Sequence, residues 1–195
     1  MQEREIRAVY DAQTITVYQA YRKEIALPSL KAQTFVNPFK MERMTWIKPS
    51  FLWMMYRSGW GQKEGQEHIL AIKIKRKGFE WALENSCLST YNEYIYKSYE
   101  SWKEKLNSTP VRIQWDPEKD LFLNNLNYKS IQIGLGGVAI KKYVSEWITQ
   151  IDDITEHCKH IHSLILEKKT EQAKYLTPIE KVYPLNNGVK KIIIG

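Results

Sequence analysis

Hydrophobic and polar positions change their period several times along this chain, and each change predicts an element. Glu5–Tyr10 sets Ile6 against Arg7 and Ala8, the two-residue alternation of a strand, with Asp11 at its end. Thr14–Ala32 reads as a helix, because Ile15, Tyr18, Ile25 and Leu30 recur near helical spacing; Thr16-Val17 also suit a strand. Pro28 is expected to kink or end that helix. Phe35–Met41 is a loop, and His68–Arg76 predicts a strand buried on at least one face. Phe79–Ser86 predicts a short helix. Ser89–Asn107 predicts another, whose Tyr91, Tyr94 or Ile95, Tyr99 and Trp102 form a helical stripe, more often a core-facing surface than a platform for stacked bases.

The second half opens with a clear strand. Val111, Ile113 and Trp115 alternate with Arg112 and Gln114, and Asp116-Pro117 is expected to end the run. Ser130–Gly134 alternates in the same way, so the two predict an antiparallel hairpin in which Arg112, Gln114 and Gln132 share a polar face. Gly134-Leu135-Gly136-Gly137 follows at once, and a strand, a Gly-rich turn and a helix start can cradle phosphate. It lacks the Lys-Ser/Thr of a P-loop and the spacing of a dinucleotide fingerprint. Residues 138–168 then predict one long helix, with a stripe of Ile140, Tyr143, Val144, Trp147, Ile148, Ile151 and Ile154. On its second half Cys158 and His162 are four apart, as are Asp153 and His157; either pair would need two more ligands or an open position for zinc, and no metal site is assigned. Residues 175–195 predict an extended tail ending in an edge strand at Ile192–Ile194.

Arg43–Gly61, RMTWIKPSFLWMMYRSGWG, is the densest aromatic stretch. Pro49-Ser50 predicts a helix start and Ser58-Gly59 its end. Phe51–Tyr56 has no polar face, so the helix should be buried, and Arg57 on it then needs a carboxylate or an anionic ligand. Lys48, Arg43 and the free N–H groups after Ser50 together suit a phosphate or carboxylate.

Composition sharpens this picture only slightly. The chain has 195 residues, 43% hydrophobic, with seven Trp, twelve Tyr and a formal charge of +7. The length suits one domain, and the charge suits an anionic partner, a phosphorylated small molecule or RNA. The opening MQEREIRAV lacks an apolar run, and no stretch approaches the roughly 20 apolar residues of a membrane helix. Two cysteines, Cys87 and Cys158, fit a reducing cytoplasm, and no membrane partner is expected. The expected fold is α+β: a single domain, a mixed or antiparallel sheet covered by helices.

The central motif, IRAVYD with TITVYQAY, QWDPE, SIQIGL and the closing LTPIEKVYP resemble domain-of-unknown-function family 4291 over nearly the whole chain. The resemblance implies a common fold and a shared site, and no chemistry. The family pattern more often has Arg at Lys119 and Lys129, so this chain loses a planar guanidinium fork at each.

Three functions are compatible with these residues. The first is a nucleotide-handling or RNA-modifying enzyme. Its candidate bases are Asp11 and Asp116, and its anion-binding groups are Arg7, Arg43, Lys48, Ser50, Arg57, Gln114, Lys129, Gln132, Gly134 and Gly136. NAD or another nucleotide would be its cofactor, and an ADP-ribosyl-transfer-like version would cast Arg7, Ser58 and Gln132 together. The second is a non-catalytic RNA- or nucleotide-binding module, and the third a structural or partner-binding protein.

Overall fold

A computed structural model describes residues 3–194. In chain order the first half holds β1 (Arg7–Ala8), β2 (Thr14–Tyr21), α1 (Lys23–Ala32), β3 (Thr45–Ile47), α2 (Phe51–Ser58), β4 (His68–Lys75), α3 (Arg76–Glu84) and β5 (Ser86–Leu88). The second half holds α4 (Tyr99–Ser108), β6 (Val111–Lys119), β7 (Asn125–Leu135), α5 (Gly137–Lys142), a π-helical turn (Tyr143–Trp147) and β8 (Ile148–Asp153). It closes with α6 (Thr155–Leu166), α7 (Thr170–Leu176), β9 (Lys181–Val182) and α8 (Asn187–Ile193).

The fold is α+β, with the helices set against mixed and antiparallel sheets. One sheet runs β2-β4-β8, a second β3-β7-β6-β5, and β1 pairs with β9 in a small third. The hairpin of β6 and β7 forms in the expected antiparallel register, Gln114 opposite Gln132 and Ile113 opposite Ile133. β6 runs past Pro117 to Lys119 through a register shift, which accommodates a residue that cannot donate to the ladder. β4 buries one whole face, Leu70, Ile72 and Ile74 entering the main core; on the other face Ile69 joins a second cluster with Phe51, Met54 and Met55 of α2, while Lys73 and Lys75 are exposed.

Four expectations are corrected. Thr14–Tyr21 is a strand, not the first half of a helix. It pairs with β4 along its whole length, from Thr14 opposite Lys75 to Tyr21 opposite His68, and that ladder overrides a weak helical period. Only Lys23–Ala32 is helical, with Pro28 inside it. The single helix over 138–168 is instead α5, the π turn, β8 and α6. Ile148–Asp153 leaves the helix to pair with the second edge of β4, and Ile151, opposite Ile72, is buried there. Gln33 finishes the outer edge of β8: its amide donates to the Ile151 carbonyl (3.0 Å) and accepts from the Ile151 N–H (2.8 Å).

The closing segment is not an extended tail either. Asn186 caps α8 by accepting from the Val189 N–H at 2.8 Å, and Val189 and Ile193 bury one face. The expected helix over Ser89–Asn107 begins only at Tyr99, behind a capping box at Ser98. Its stripe divides: Trp102 is buried, whereas Tyr94 and Tyr99 are exposed.

Candidate functional site

The two larger sheets are joined where β3 ends. Tyr18 of β2 donates its N–H to the Lys48 carbonyl at 2.7 Å, and Lys48 returns one to the Tyr18 carbonyl at 3.3 Å. A cavity of about 680 Å³ opens beside this junction. Its walls carry five cations, Arg22, Lys40, Arg43, Lys48 and Arg57, against one carboxylate, Glu64. Arg22 pairs with Glu24 outside the cavity (3.7 Å), whereas Lys40, Arg43, Lys48 and Arg57 have no carboxylate partner among the described residues.

Lys48 is the unusual member. It is only 6% exposed, lies with its ammonium 5.0 Å from the Trp53 ring, and lines the cavity. Burial pulls its pKa down to about 8, with the Arg57 charge adding to the effect and Asp116 opposing it. Arg57 itself is exposed on α2, not buried as the apolar run suggested. Tyr56 and Arg57 turn outward at the end of the helix, so the guanidinium needs no internal partner. Arg43 is exposed on the same cavity.

The cavity floor is a polar network. Gln19, 3% exposed, donates its amide hydrogens toward Tyr21 Oη (2.9 Å), Thr45 Oγ1 (2.7 Å) and the Trp46 carbonyl (3.1 Å), and accepts from Tyr143 Oη (2.8 Å). Tyr21 and Thr45 share one further bond at 3.0 Å. That bond uses the hydrogen of one hydroxyl, so the other is left without an acceptor, on a pair of residues that both line the cavity. Burial holds the Tyr21 phenol up to about 12, so it stays protonated. Trp46 forms part of the wall, and Gly134 beneath it has no room for a side chain: a Cβ would meet Met44 Sδ at 2.7 Å and the indole at 3.0 Å.

The start of α2 is built from acids. Phe51 donates its N–H to Glu180 Oε1 at 2.7 Å, and the Ser50 hydroxyl accepts from Trp53 N (3.2 Å) and donates to Glu118 Oε1 (2.8 Å). Glu118 is 3% exposed and also accepts from Lys119 N at 2.8 Å. Burial raises both carboxyls, Glu180 to about 8, and Arg7 opposes the rise. The helix N-terminus that suited an external anion is thus filled from within, and Ser50 is a helix cap, not a ligand group.

Other expected site residues fall elsewhere. Gln114 and Gln132 do meet on one face, where both donate to Asp116, at 2.9 and 2.6 Å. That trio does not line the cavity. Arg112 leaves this face to cap the C-terminus of α4, donating to the carbonyls of Leu106 and Thr109. Asp11 closes the turn before β2, accepting from Gln13 N and Thr14 N at 2.7 Å each, which lowers its pKa. Those bonds, at the far end of β2 from the cavity, are at odds with a base role. Lys129 pairs with Glu3 at 2.9 Å, and Arg7 pairs with Glu5 at 3.3 Å beside Glu118 and Glu180. The Gly-rich turn is no cradle: Gly134 lies inside a ladder paired on both edges, and the Gly136 N–H goes to the Pro110 carbonyl at 2.9 Å. Ser58 is buried, bonded to the Met54 carbonyl at 2.9 Å, so Arg7, Ser58 and Gln132 do not converge on the cavity.

Cys158 is buried and its thiol is pushed up to about 12, His157 contacts the Leu176 carbonyl (3.0 Å), and the His162 ring stacks on Trp60 at 5.3 Å. Gln19, Tyr21 and Thr45 were missed because β2 was read as a helix; as a strand, Gln19 and Tyr21 fall two apart on one face. Glu118 stands in WDPE, just past the Pro117 expected to end its strand, and Glu180 in LTPIE, within the segment expected to be an extended tail, so neither was marked as a site residue.

The chain belongs to the family described as a domain of unknown function (DUF4291), whose model matches residues 5–183. Comparison with curated proteins found no match.

Proposed function

We propose that this family member binds a phosphorylated small molecule of nucleotide size in the cavity at the sheet junction, as part of a nucleotide-handling activity. The observation that carries the reading is Lys48: a buried ammonium without a carboxylate partner, opening on a cavity where cations outnumber acids. An unpaired buried charge is costly, and an anionic ligand offsets that cost on binding. The volume, about 680 Å³, lies within the usual range for small-ligand clefts. Trp46 and Phe39 line the wall, aromatic surface of the kind that suits a planar base.

A second reading, an RNA-binding module, draws on the exposed Lys40 and Arg43 at the cavity and the net charge of +7. Its weakness is that Lys48 lies too deep for a polymer backbone. The buried, unpaired thiols of Cys87 and Cys158 support a reducing compartment such as the cytoplasm. Among the described residues no helix is long and apolar enough to cross a membrane.

Thermal unfolding of the full chain with ATP, NAD, inorganic phosphate and a short single-stranded RNA separates these readings. A nucleotide or NAD is expected to stabilise the wild type, by about 2.7 kcal/mol at a hundred times its Kd. Lys48→Met should weaken that binding at least tenfold. RNA binding that falls steeply with salt, with no response to mononucleotides, selects the module. No stabilisation by any anion removes both.

A further inference from the structure

Of the lysines among the described residues, two are buried, Lys48 and Lys119. Lys119 is committed: its ammonium donates to Asn125 Oδ1 and lies 3.6 Å from the centre of the Tyr56 ring. Lys48 makes no hydrogen bond through its ammonium to any described group, yet it is almost wholly enclosed and faces a cavity. A lysine enclosed against indole, with a second cation near it, is set up to lose its proton and act as an amine.

We propose that Lys48 forms an imine with a phosphorylated aldehyde or ketone bound in this cavity. The inference rests on the anion-binding reading above, since Arg43 and Arg57 would hold the phosphate while Lys48 meets the carbonyl. The neutral Nζ attacks the carbonyl carbon, and the carbonyl π electrons pass to oxygen. A proton moves from nitrogen to that oxygen, giving a carbinolamine. The hydroxyl leaves with a proton as water, and the nitrogen lone pair closes the C=N bond. Amine plus carbonyl thus gives imine plus water, with no change of oxidation state. The free hydroxyl hydrogen of the Tyr21–Thr45 pair is a ready donor to the carbonyl oxygen as charge builds on it. The lowered pKa of Lys48 supplies a substantial neutral fraction near pH 8.

The test uses the full chain with pyridoxal phosphate and, separately, glyceraldehyde 3-phosphate, each reduced with borohydride and mapped by peptide mass spectrometry. Thermal shifts with the same compounds, and with pyridoxine phosphate, read binding without chemistry. The expected result is one reduced adduct per chain, on Lys48, suppressed by excess inorganic phosphate. Lys48→Arg keeps the cation, so it should still be stabilised by pyridoxine phosphate while the adduct disappears. Stabilisation without an adduct on Lys48 overturns imine chemistry and leaves the anion site standing. Adducts scattered over exposed lysines, insensitive to phosphate, also overturn it. No stabilisation by any of the phosphates overturns the anion site itself.

Discussion

Lys48 and Glu180 both lie beside the start of α2, and each is held from its ordinary ionisation in the opposite sense. Glu180 is raised to about 8 and Lys48 is lowered to about 8, both chiefly by burial. Their surroundings differ. Glu180 and its neighbour Glu118 receive hydrogen bonds from Phe51 N, Ser50 Oγ and Lys119 N, so the chain itself completes that side. Lys48 receives no such partner and opens on a cavity. On one side a carboxyl pair fixes a helix start and ties the closing segment to it; on the other a cation is left without a partner beside a cavity, the place the proposed function gives to an anionic ligand.

The sharpest break of this comparison is pH, because the two sides have opposite slopes. Between the ordinary carboxylate pKa of 4.5 and about 8, the folded chain holds a proton on Glu180 that the unfolded chain has lost. Stability therefore falls as pH rises through that window, and Glu118 acts in the same direction. From about 8 toward 10.5 the unfolded chain keeps a proton that Lys48 has shed in the fold, so stability rises again. The first limb should be the larger, because the Glu180 shift is the wider of the two. Cys158, raised from 9 to about 12, offsets this second limb from pH 9 upward, and Tyr18, Tyr21 and Tyr143, all raised by burial, reverse it above pH 10. Urea unfolding at pH 5, 8 and 9.5 checks this. Glu180→Gln should flatten the first limb only. Lys48→Met should flatten the second only, and should stabilise the ligand-free chain at pH 7. A Lys48→Met chain less stable than wild type at pH 7 would make Lys48 a structural residue.

How legible each side was in the sequence follows from the same contrast. The helix at Phe51–Ser58, its Ser50 cap and its Gly59 end are local, and Gly59 does adopt the left-handed φ of 57° expected after a helix. Lys48, Arg43 and Arg57 were placed beside one another for the same reason: they lie within one short stretch and share one cavity. What completes the acid side comes from Glu118 and Glu180, 68 and 129 residues from their partners at the helix start, and no local pattern announces such pairings. The cavity floor depends on Gln19 and Tyr143, 124 residues apart, and on β2 being a strand. A strand whose pairing partner is distant is the element that local period judges worst. The long helix over 138–168 failed likewise, since its isoleucines fit either a helical stripe or the open edge of β4.

A smaller effect sharpens the cavity side. Gln19→Leu removes the amide that gathers Tyr21, Thr45, the Trp46 carbonyl and Tyr143. Leaving the buried Tyr143 hydroxyl without its acceptor should cost about 2 kcal/mol in urea unfolding. Ligand affinity should fall with it, because the spare hydroxyl hydrogen loses its fixed orientation. The pH limb owed to Glu180 should be unchanged. If that limb shifted too, the two sides would be one coupled network and not two.

The smallest effect is expected at Asp11, the residue that reads in the sequence as a candidate base. Its carboxylate accepts from Gln13 N, Thr14 N and Thr14 Oγ1, and it is exposed. From there the strand β2 runs from Thr14 to Tyr21 before it reaches the cavity, roughly 20 Å at about 3.3 Å per residue. Asp11→Ala should therefore loosen a turn, cost about 1 kcal/mol or less, and leave both pH limbs and ligand affinity as in the wild type. Calorimetric titration of whichever nucleotide stabilises the wild type checks this directly. A tenfold loss of affinity in Asp11→Ala would mean that the binding groups extend along β2 to its first residue, and the division between a filled side and a waiting side would have to be redrawn around that strand.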